Sequence, residues 1–60
     1  MNLKEFIHAN IVRNTVYINP EYVTSVIEAD KDNETLIYLT GDEVIRVVGT
    51  LHEVVRDLQG

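Results

Sequence analysis

Apolar and polar positions alternate over most of this chain, and the alternation stops at recognisable turn residues. The run Thr15-Val16-Tyr17-Ile18 is dense in β-branched and aromatic side chains and predicts a strand. Upstream, the apolar residues between Leu3 and Val12 suit one strand better than a short helix, with a turn at Arg13-Asn14. Asn19 is a good cap and Pro20 suits a first helical position, so a single helical turn over Pro20, Glu21 and Tyr22 is expected to redirect the chain. Val23 to Ala29 reads as a third strand. Thr24 and Glu28 flank Val26, while Val23, Ser25 and Ile27 share the other parity. Both parities mix polar and apolar residues, which predicts partial burial on both faces.

Asp30 to Glu34 is a polar loop, since Asp and Asn bond their own backbone in turns. Thr35 to Leu39 and Glu43 to Val48 form a hairpin about Thr40-Gly41-Asp42, with Gly41 free to take positive φ. Thr50 and Glu53 spell a capping box. Leu51, Val54, Val55 and Leu58 then fall on one helical face, which must lie on the sheet. The predicted fold is α+β: a small antiparallel meander of about four to five strands under one C-terminal helix, with residues 1–60 as a single domain.

Sixty residues bury little apolar surface, and domains of this size gain stability from disulfides, a metal or a partner chain. There is no cysteine. His8 and His52 have no ligand spacing, and Asp30-Asp32-Glu34 begins like a calcium loop but lacks its glycine and its closing glutamate. No cofactor and no metal are expected, so a second copy of the chain is the most economical source of added stability. The net charge of −5 disfavours nucleic acid and anionic membranes. No apolar run approaches the roughly 20 residues of a membrane span, and Met1 to Asn10 lacks the core of a signal peptide. A cytoplasmic location follows as the expectation.

No phosphate loop, nucleophile elbow or metalloprotease motif is present, so no enzyme is predicted. The acidic residues read as solvated loops and strand ends that suppress aggregation. The tyrosines carry more. Tyr17 points away from Val16 and Ile18, and Tyr38 away from Ile37 and Leu39. An aromatic ring on the outer face of a strand is a common interface anchor. Tyr17, Tyr22, Tyr38 and Arg46 are the candidate interface residues.

The stretch VYINPEYVTSVIEADKDNETLIYLTGDEVIRVVGTLHEVVRDL resembles the small flagellar and swarming-motility proteins of the FlbD-like family, which includes phage-encoded relatives. Val16-Tyr17-Ile18-Asn19 matches the family's strand and asparagine. Thr35 to Leu39 followed by Gly41 matches its hairpin, here one residue shorter, and Glu53, Val54 and Leu58 match its closing helix. Where the family often has an Asn-Gly turn, this chain has Arg13-Asn14-Thr15 without glycine. The resemblance implies an interaction protein and carries no catalytic residues. The expected function is therefore a homo-oligomeric module that binds and modulates another protein in a bacterium or its phage, one specific form being a phage inhibitor of a host system. Two alternatives stand beside it. A nucleic-acid-linked regulator, built as a small β-rich dimer, predicts a basic strip from Arg13, Arg46 and Arg56. A small-molecule or nucleotide module predicts a site at a subunit interface near the tyrosines.

Overall fold

The computed structural model describes residues 2–60. The order is β1 (Lys4–Ile7), β2 (Thr15–Ile18), a 3-10 turn (Pro20–Tyr22), β3 (Val23–Glu28), β4 (Glu34–Leu39), β5 (Glu43–Val48) and α1 (Leu51–Gln59). This is the small α+β fold expected. Its strands divide into an antiparallel hairpin, β1-β2, and an antiparallel meander, β3-β4-β5. The division is made by the 3-10 turn. Asn19 caps it, its side chain accepting from the Glu21 N–H at 3.0 Å, and the chain leaves β2 without pairing it to β3.

Pairing across antiparallel strands sets which residues share a face. Val26, Ile37 and Ile45 are directly opposed, as are Thr35 and Val47. These side chains line the inner face of the meander. Phe6 and Ile18 of the hairpin and Val54 of the helix close over that face. The buried core is Phe6, Ile18, Ile37, Val47 and Val54, with Thr35 as its one polar member among the described residues. Thr35 is satisfied there, its hydroxyl donating to the Gly49 carbonyl at 2.8 Å.

The mixed parity of β3 has one local cause. Register slips between Val23 and Ser25, so Thr24 bulges, and its hydroxyl bonds the Tyr38 carbonyl at 3.2 Å. Val23 thereby joins Val26 against the core, while Ser25 and Ile27 turn outward beside Tyr38 and Leu36.

The N-terminal third departs further from expectation. Pairing of Ile7 with Thr15 ends the hairpin ladder, so the strand expected up to Val12 stops early and the turn is longer than Arg13-Asn14. The loop is closed by the His8 N–H donating to the Asn14 carbonyl at 2.7 Å. Beyond β1, His8 bridges to Val47 and the Ala9 N–H donates to the Arg46 carbonyl at 2.9 Å. The hairpin is thus anchored on the free edge of β5.

Gly49 joins β5 to α1 at a φ of 134°, where a side chain is strained, and a Cβ there would meet Val54 Cγ2 at 3.4 Å. Thr50 caps α1 in both directions: its hydroxyl accepts from the Glu53 N–H at 3.2 Å and its own N–H donates to the Glu53 carboxylate at 3.0 Å. The cap aims Val54 into the core.

Two substitutions test this packing. Ile37→Ala is expected to cost about 2–5 kcal/mol by denaturant titration, as large-to-small changes in a tight core do. Val54→Asp places a charge in the core and is expected to leave no cooperative thermal transition.

Candidate functional site

The core uses one face of the meander only. The other face carries Ser25 and Ile27 from β3, Glu34, Leu36 and Tyr38 from β4, and Val44, Arg46 and Val48 from β5, by the same register. Five of these eight are apolar or aromatic. Ile27 and Val44 are about half exposed, at 48% and 50%, while Leu36, Tyr38 and Val48 are half-buried by their neighbours. The face continues onto the hairpin. His8 opposes the inward-pointing Val47, so Ile7 points outward on the side of Val48, and it too is exposed.

Arg46, on the edge strand β5, is an occupied cation on this face. Its Nη1 donates to Asp30 Oδ1 and to Glu34 Oε1, each at 2.9 Å. The hydrogen bond from Arg46, and then its charge, hold the Asp30 carboxyl below its ordinary value. Glu34 first and Asp30 second push the guanidinium further up. Two carboxylates answer the guanidinium and leave one negative charge in excess beside the apolar face. Two members of the Asp30-Asp32-Glu34 trio therefore serve Arg46, and among the described residues no cluster of His, Asp or Glu has the makings of a metal site.

The four candidate residues fall into two pairs on separate surfaces. Tyr38 and Arg46 share the outer face of the meander. Tyr17 and Tyr22, each well exposed, line a shallow groove of about 230 Å3 with Leu39, Ile45 and Glu43. A second, more polar hollow of about 390 Å3 lies between the Asp30–Glu34 loop and the start of α1. The three arginines of the expected basic strip, Arg13, Arg46 and Arg56, lie on three different elements. Arg46 is paired as above, Arg56 lies 3.8 Å from Asp57 on the helix, and Arg13 is on the β1-β2 loop. Comparison with family models, curated proteins and solved structures found no match.

Sequence reasoning passed over the apolar residues that turn outward beside Tyr38. Val44 and Val48 could have been found by writing the β4-β5 register out from the Gly41 turn, which puts Tyr38 opposite Val44, whereas Ile27 needs the β3-β4 register as well. It also passed over the β1-β2 loop, where Ile11 is 101% exposed and Val12 68%. No helix among the described residues is long and apolar enough to cross a membrane.

The lowered carboxyls make a pH prediction. Glu53, held down first by the Thr50 backbone N–H and then by its hydroxyl, behaves like Asp30. A depressed folded value stabilises above the ordinary carboxylate range and is lost as pH falls through the lower value. The Asp30→Asn, Glu53→Gln double variant is thus expected to melt below the parent at pH 7, and the gap to shrink as pH falls below about 4. Thermal melts at a series of pH values check this; a gap that does not change with pH contradicts it.

Proposed function

We propose that this protein is a small non-catalytic module for protein binding and assembly, that it self-associates through the outer face of the meander, and that in assembled form it modulates a protein partner. One observation carries the reading: a face with Ile27, Leu36, Tyr38, Val44 and Val48 is left uncovered by the chain's own helix and hairpin. Contiguous apolar surface of this kind marks interaction sites. A domain this small also gains most from a partner chain. The resemblance to the FlbD-like family supports the same reading and suggests a bacterial or phage setting, in the cytoplasm, with inhibition of a host system as one specific form.

The small-molecule alternative, which places its site near the tyrosines, has the groove beside Tyr17 and Tyr22 in its favour; no tyrosine lines the larger polar hollow. At about 230 Å3 and open to solvent, the groove falls short of the roughly 300–1,000 Å3 usual for ligand sites. The nucleic-acid alternative loses its central residue, because Arg46 is held by two carboxylates.

Tyr38 is the aromatic anchor of the proposed face. Tyr38→Ala is expected to weaken self-association tenfold or more, in the manner of an interface hot spot, with a smaller effect on the denaturation midpoint of the dilute protein. Sedimentation equilibrium of parent and variant reads this. Equal association constants would take the outer face out of the reading.

A further inference from the structure

The outer face is small for a stable contact. Strands lie about 4.8 Å apart and rise about 3.4 Å per residue. Three strands of six residues then project about 300 Å2, against about 800 Å2 per partner in an ordinary stable interface. More surface is needed, and it has to adjoin the face.

The loop between β1 and β2 adjoins it. Its root is fixed to the edge strand β5 by the Ala9 N–H on the Arg46 carbonyl at 2.9 Å. Past that root come Ile11, fully exposed at 101%, and Val12 at 68%. Loops ordinarily place polar residues at such tips. Two adjacent β-branched aliphatics, Ile11 uncovered and Val12 mostly so, gain by burial against another surface. Arg13 follows them and has no ion pair among the described residues. In a chain of net charge −5, a cation beside the apolar tip suits an acidic surface, and the chain's own surface is acidic.

We infer that the segment Asn10–Arg13 is a clasp for a second copy of this chain. Ile11 and Val12 extend the outer apolar face past the edge of β5 and close on the partner copy, while Arg13 offsets part of the repulsion between two acidic protomers. This rests on self-association through the outer face, and it assigns the additional area that such an assembly requires.

The exposure of Ile11 makes the test clean, because its replacement removes no contact within the chain. The Ile11→Ser, Val12→Ser double variant adds no charge. Its association constant is expected to fall at least about tenfold by sedimentation equilibrium, with the melting temperature of the dilute protein unchanged. An associating parent and an equally associating double variant would overturn the clasp while leaving the outer face standing. A parent that stays monomeric at every concentration would overturn both. A variant that loses melting temperature in dilute solution would also overturn the clasp, since Ile11 and Val12 would then be holding their own chain.

Discussion

The docking of α1 and the β1-β2 hairpin on the same face of the meander is the constraint from which the rest follows. Phe6 and Ile18 arrive from the hairpin, Val54 from the helix, and Ile37 and Val47 from the sheet itself. Among the described residues no further element lies on the opposite side. The inner face is closed, and the outer face is left to solvent or to another molecule. Gly49 and the Thr50–Glu53 cap are small features, but they direct the helix to the inner face and so decide which face remains open.

Much of this was legible because it is written locally. The capping box, the helical spacing of Leu51, Val54, Val55 and Leu58, and the turn at Gly41 depend on residues a few positions apart, and all three stand in the fold. The outward aim of Tyr17 and Tyr38 follows from strand alternation alone. What was not legible depends on pairing at a distance. The bulge at Thr24 resets the parity of β3 and appears only when β4 is placed beside it. Arg46 meets Asp30 and Glu34 across 16 and 12 positions of chain, so its role as the partner of two loop and strand-end carboxylates was hidden. Ile11 and Val12 read as strand because they lead straight into the turn expected at Arg13-Asn14, yet the hairpin ladder ends at Ile7 and Thr15.

For the assembly proposed above, surface charge sets a long-range cost. Ten acidic residues against five basic ones keep the chain soluble and hold copies apart at long range. Short-range apolar contact has to overcome that repulsion, and it does so best where local charge is already balanced. Arg46 offsets part of that charge on the outer face, leaving one carboxylate of Asp30 and Glu34 in excess. Self-association by this route is expected to strengthen with salt, which screens like charges on the two protomers.

The most direct check on the outer face as the meeting surface is a methyl NMR dilution series on the intact chain. On raising the concentration, the methyl signals of Ile27, Leu36, Val44 and Val48 are predicted to shift, while those of Ile37, Val47 and Val54 in the core stay in place. Signals that do not move at any concentration, or that move only for residues away from this face, would contradict the account.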